Sequence, residues 1–188
     1  MFGFKVSSSL MTLAIGFLLQ SCSAAPSSAA PTEEEWRQTA QQEIAELQQL
    51  YAHATDLIAA DAAAYEAEVR STYLKIFTED ARIGVGDQLV LLGPLAWLEF
   101  VKTSANSMQS TRHLIGNQVV EIQRLPSPEG IGGEAPMTSA LHATLVGADG
   151  ELSTVEGTYF ATATHTPESG WQLTEMKLES VAAETPDS

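Results

Sequence analysis

The segment STRHLIGNQVVEI, Ser110 to Ile122, has the β-branched density of a strand and carries two side chains able to do chemistry, His113 and Asn117. Neighbouring side chains of a strand point to opposite sides, so regular pairing puts His113, Ile115, Asn117, Val119 and Glu121 on one face and Leu114, Gln118, Val120 and Ile122 on the other. A face that mixes imidazole, amide and aliphatic groups suits a pocket wall better than a plain core. A second histidine, His142, shares a strand face with Ala140 and Thr144, opposite Leu141, Ala143 and Leu145. Imidazole is the side chain that ordinarily titrates closest to neutral pH. Oriented by a carboxylate, it can take a proton from carbon beside a carbonyl or drive a syn elimination of water. A tyrosine hydroxyl or a second histidine can then donate to the substrate oxygen as it gains negative charge.

Each of these groups also has a purely structural reading. His113 could be satisfied by a backbone carbonyl, the face of His142 could be solvated, and Asn117 could close a backbone bond where the strand bends. Tyr51, Tyr73, Trp97 and Tyr159 are first of all large core residues, and Trp171 after Gly170 reads as a core anchor. Arg112 points away from His113 and suits an exterior ion pair, while His165, beside Thr166-Pro167, suits a surface turn. No HxH, HExxH or cysteine cluster suggests a metal, and no GxSxG elbow, phosphate loop or dinucleotide fingerprint is present. The expectation is a pocket without cofactor or metal whose partner is a small apolar molecule.

The elements that must position these groups follow from periodicity. Thr32-Glu-Glu-Glu35 has a capping-box pattern, and Trp36, Ala40, Ile44, Leu47, Tyr51, Ala54 and Ile58 form an amphipathic stripe, so a first helix runs from about Thr32 to Ala60. Asp61 caps a second helix carrying Tyr65, Val69, Tyr73, Ile76 and Phe77. Ala81 to Val85 and Gln88 to Leu92 read as a short hairpin about Gly86-Asp87. Gly93-Pro94 opens a third helix. Strands follow at Thr111 to Arg124, Thr138 to Ala148, Glu151 to about Thr164 and Trp171 to Leu178, with the Pro- and Gly-rich loop Leu125 to Pro136 between the first two. Helices grouped before strands indicate an α+β fold, a curved sheet covered on one side by helices and enclosing a conical cavity.

The chain has 188 residues, 24 acidic against 9 basic, and a formal net charge of −15. That balance argues against nucleic acid and against electrostatic adhesion to anionic lipid. Lys5 followed by the apolar run Leu10 to Leu19 reads as a signal-peptide core, too short to span a membrane. It ends in Leu19-Gln-Ser-Cys22, which resembles the bacterial lipobox. The implied organisation is a signal peptide over 1–21, a lipid anchor on Cys22, a flexible tether over 22–31, a folded domain over 32–179 and an acidic disordered tail over 180–188. Cys22 is the sole cysteine, so no internal disulfide is available. Ser23 after it resembles the residue that lets lipoproteins reach the outer membrane, placing the protein at its periplasmic face and holding it to the membrane only through the anchor.

Six segments, IAELQQLYAHATD, IFTEDARI, GPLAWLEFV, STRHLIGNQVVEI, EGTYFATATH and GWQLTEMKLE, fall in the order found in NTF2-like, SnoaL-like proteins, and the chain resembles that superfamily from about Glu34 to Glu179. The resemblance implies an NTF2-like cone and a lyase or isomerase in the manner of polyketide cyclases, scytalone dehydratase, bile-acid dehydratase and ketosteroid isomerase. It also implies roles. Tyr51 and Asp56 match the Tyr and Asp that dehydratase members carry on the first helix, His113 matches the strand histidine acting as base, and His142 lies near a second polar site residue. Asn117, Ile115, Tyr73, Trp97 and Tyr159 would line the pocket, and the outer sheet face would pair two copies into a homodimer. On a regular helix Asp56 lies about 140° around from Tyr51, so either the helix bends or only one of them points straight into the cavity. A surface pair of His53 with Asp56 is the competing reading of that carboxylate. A non-catalytic ligand-binding or dimeric domain remains the alternative function.

Overall fold

The fold begins where Thr32 closes a capping box. Its hydroxyl accepts the Glu35 N–H at 3.3 Å, and the Glu35 carboxylate returns to the Thr32 N–H at 2.7 Å. In the computed structural model, which describes residues 31 to 184, helix α1 then runs unbroken over Glu33–Ala60 and buries Ile44, Leu47, Tyr51 and Ile58. Asp61 serves two helices at once. Its N–H donates to the Leu57 carbonyl at 3.1 Å, ending α1, and its carboxylate accepts the Ala64 N–H at 3.0 Å, starting α2 over Ala62–Ile76.

Strands β1 (Phe77–Val85) and β2 (Leu89–Leu92) form the expected hairpin, with Gly86 at φ 58° supplying the left-handed turn residue. Helix α3 (Pro94–Ala105) starts with proline in its first turn, where the missing N–H costs nothing. Four long strands follow: β3 (Met108–Val120), β4 (Gly133–Gly147), β5 (Leu152–Thr166) and β6 (Gly170–Glu184). The sheet order is β2-β1-β6-β5-β4-β3, antiparallel throughout except where β1 runs parallel to β6. Irregular registers in β3 and between β5 and β6 bend the sheet around the helices. The result is the expected α+β arrangement, with α1, α2 and α3 against the concave face. The core joins Ile44, Ile58, Tyr73, Ile76 and Leu98 from the helices to Ile83, Met137, Leu173 and Met176 from the sheet.

Two expectations are corrected here. The pairing of β3 with β4 skips between Gly116 and Val119, and Asn117 sits in the bulge at φ 48°. The bulge reverses the alternation, so Asn117 and Val119 face solvent while Val120 turns inward. The expected tail is also shorter: β6 continues to Glu184, opposite Thr154, because Ser180, Ala182 and Ala183 find partners on β5. The signal peptide, Cys22 and the tether lie outside the described residues. No helix among the described residues is long and apolar enough to cross a membrane.

Candidate active site

Between the helices and the concave face lies a cavity of about 150 Å³. Tyr51, Thr55 and Ala59 of α1 line it, successive turns of one helix stripe. Trp97, Phe100 and Val101 come from α3, Thr111 and His113 from β3, Tyr159 from β5 and Leu178 from β6. None of the described residues lining it is Asp, Glu, Lys or Arg, so its polarity comes from one imidazole, several hydroxyls and an indole.

His113 is held from behind by Asp56. The imidazole Nδ1 lies 2.6 Å from Asp56 Oδ1, and the His113 backbone N–H donates to Asp56 Oδ2 at 2.9 Å. Thr111, two residues earlier on the same strand face, donates its hydroxyl to Oδ1 at 2.8 Å. An ionised carboxylate only accepts, so the pairing sets the proton on Nδ1 and leaves the Nε2 lone pair free. The His113 side chain is 12% exposed and that of Asp56 24%, which keeps the pair half-sheltered from solvent.

The angular separation of Tyr51 and Asp56 is resolved without bending α1. Tyr51 points into the cavity, whereas Asp56 leaves the flank of the helix toward β3 and reaches the imidazole instead of the cavity. His53 is exposed and takes no part in binding that carboxylate.

Tyr51 is 3% exposed, stacks on Tyr73 at 5.8 Å between ring centres and meets Tyr159 edge-on at 6.0 Å. Burial pushes its hydroxyl pKa up, and the nearby Trp97, Thr55 and Tyr159 temper the rise; Trp97 does so without reaching hydrogen-bonding geometry. Burial, reinforced by the neighbouring Tyr51, raises Tyr159 well above the ordinary tyrosine range. The cavity therefore holds two neutral phenols and one imidazole.

Of the residues expected at the site, His113, Tyr51, Trp97 and Tyr159 line the cavity and Asp56 supports it. Tyr73 stands behind the wall, its hydroxyl 2.8 Å from Thr55 Oγ1; Thr55 gives its own proton to the Tyr51 carbonyl at 2.9 Å, so Tyr73 is the donor. Ile115 packs against the core without lining the cavity. His142 is corrected: it is exposed on the convex face, 3.3 Å from Glu156 directly opposite on β5, because its neighbours Leu141 and Ala143 take the buried side. Asn117 is outside for the reason given by the bulge. His165 is partly buried, its Nδ1 2.7 Å from the Gly130 carbonyl and its ring edge-on to Trp171. Thr55 and Thr111 were missed; the spacing of Thr111 two before His113 was the available signal. Among the described residues no group of three or more His, Cys, Asp or Glu could hold a metal ion.

Residues 36–177 match the family model described as a SnoaL-like domain. No curated protein matches the chain. Among solved structures, the chain is similar to a protein from Novosphingobium aromaticivorans provisionally named a scytalone dehydratase, with 15% identity, a TM-score of 0.65 and coverage of 82% of this chain and 93% of that one. It is similar to hexachlorocyclohexane dehydrochlorinase LinA-type3 from Novosphingobium barchaimii, with 11% identity, a TM-score of 0.65 and coverage of 81% and 93%. An NTF2-like superfamily protein from Salmonella enterica gives 17% identity, a TM-score of 0.53 and coverage of 81% and 94%. At such identities these likenesses speak for the fold alone.

Proposed function

The chain belongs to the SnoaL-like domain family, and on that premise we propose that it is a cofactor-independent lyase or isomerase acting on a small, uncharged, mainly apolar molecule that carries oxygen. One observation carries the reading: an imidazole in the wall of the cavity has Nδ1 fixed 2.6 Å from a carboxylate, which leaves Nε2 as a base. Nε2 takes a proton from carbon, the electron pair moves to form the double bond, and the leaving oxygen departs or the carbonyl oxygen gains charge. Asp56 stabilises the imidazolium, and Tyr51, kept protonated by burial, donates to the oxygen. The names of the solved relatives, a dehydratase and a dehydrochlorinase, agree with elimination chemistry.

The test is incubation of the purified protein with 3-hydroxycyclohexanone, in which loss of a C–H proton and of hydroxide yields cyclohexenone and water, together with exchange of the ring protons of cyclohexanone in D₂O. Acceleration of either, lost in His113→Ala, supports the reading. No acceleration over buffer across a panel of such β-hydroxy and β-halo rings leaves the protein a binder.

Export as a lipoprotein on Cys22 is proposed from the sequence Leu19-Gln-Ser-Cys22 and is tested by mass spectrometry of the mature N-terminus. A second reading, pairing of two copies through the convex sheet face, is supported by Leu114, Val119 and Phe160, which are 51%, 53% and 43% exposed there.

A further inference from the structure

Trp97 gains a role on the reading of this cavity as a site for an oxygen-bearing ligand, and that role rests on that reading. Its indole is 3% exposed, packs against Phe100 with ring centres 5.0 Å apart and lines the cavity. Indole N–H is a donor only. That N–H is buried and has no hydrogen-bond acceptor among the described residues. Buried donors are almost always paired, so an orphan in a cavity wall calls for an explanation.

The acceptor we assign to it is the Tyr51 hydroxyl, chosen among the hydroxyls that line the cavity. Both side chains line the same cavity, and Trp97 is foremost among the groups that restrain the upward shift of the Tyr51 phenol. Thr55 cannot serve Tyr51 as a donor, because its single hydroxyl proton is already given to the Tyr51 backbone carbonyl at 2.9 Å. A phenol oxygen that accepts from the indole is left with its own O–H to point elsewhere, and the cavity is where a partner would lie. The wall contains no Lys or Arg, so the partner is an uncharged acceptor instead of a carboxylate or phosphate.

We propose that Trp97 is a positioning residue: its indole N–H closes onto the Tyr51 hydroxyl when ligand enters, and the Tyr51 O–H is thereby aimed at a ketone-type carbonyl oxygen. The two bonds run in one direction, indole to phenol to carbonyl, and donors in such a chain strengthen one another. Trp97 itself does not touch the ligand oxygen.

The experiment uses the whole protein and two probes of nearly equal shape, cyclohexanone and methylenecyclohexane, whose binding is followed by ligand-observed NMR. The expected result is tighter binding of the ketone than of the alkene. Tyr51→Phe and Trp97→Phe each weaken ketone binding by about tenfold, the usual effect of losing one neutral hydrogen bond, and leave the alkene unchanged. The double variant loses no more than Tyr51→Phe alone. Benzothienylalanine at position 97 keeps the ring shape and removes only the N–H, so it repeats the test if Trp97→Phe does not fold. A merely structural Trp97 would shift both probes together or neither, and that outcome overturns the proposal, as does equal binding of the two probes by the unaltered protein. A protein that prefers the ketone yet catalyses nothing upholds the Trp97 proposal while removing the catalytic reading.

Discussion

Asp56 and His113 stand 57 residues apart in the chain and 2.6 Å apart in the fold, and the same carboxylate also takes the His113 backbone N–H and the Thr111 hydroxyl. One acidic side chain thus fixes the imidazole, its tautomer and the strand beneath it. A group bound three ways is built for orientation, and what it orients is an imidazole that lines the cavity.

From this arrangement, His113→Ala lowers any elimination or exchange activity by about 10²- to 10⁴-fold, the usual contribution of a positioned base. Asp56→Asn is similarly damaging, because its amide NH₂ either confronts the His113 N–H or, turned the other way, donates to Nδ1 and moves the ring proton to Nε2, which then is no longer a base. Steady-state rates beside thermal melts separate the two effects. If both variants retain full rates, the dyad does no chemistry.

His142→Ala leaves the same activity unchanged, since that ring lies exposed on the convex face against Glu156. Leu114→Asp on the same face converts a dimer to monomers in sedimentation at micromolar protein. A monomeric unaltered protein removes the pairing proposal.

Asn117 occupies left-handed backbone at φ 48°. Asn117→Gly is close to neutral, whereas Asn117→Val lowers unfolding free energy in urea by about 1–2 kcal/mol, the cost of placing a branched L-residue there. Equal stability of the two variants would mean that the bulge is absent in solution.

Tyr51, Tyr73 and Tyr159 hold their protons above the ordinary tyrosine range because burial disfavours the phenolate. Their folded-state values are raised, so their contribution to stability is complete below about pH 10, the unfolded value, and is lost as pH rises beyond it toward the folded values. Titration by phenolate absorbance should show these three ionising late and together with alkaline unfolding. Early, reversible ionisation of all four tyrosines in the folded protein would contradict their burial.

Periodicity and capping are local, and the sequence by itself therefore determined the helices: Thr32, Asp61 and Pro94 mark their starts because cap chemistry depends on neighbours within a turn. It also placed Tyr51 on the buried stripe of α1 and His113 with Ile115 on one face of its strand, since alternation and helical spacing are read along the chain. Tertiary structure decided the rest. The Gly116–Val119 bulge reversed the strand after His113, an effect of pairing with β4 that no single-strand pattern contains. His142 fell on the convex face because the sheet had to bury Leu141 and Ala143, and one polar face of a strand looks like another until its partner layer is placed. The Asp56 carboxylate acquired its role only when α1 was laid across β3 at a rotation that let a flank residue reach the imidazole. That rotation is set by packing the whole helix stripe at once, and so it is a property of the core and not of any segment within it.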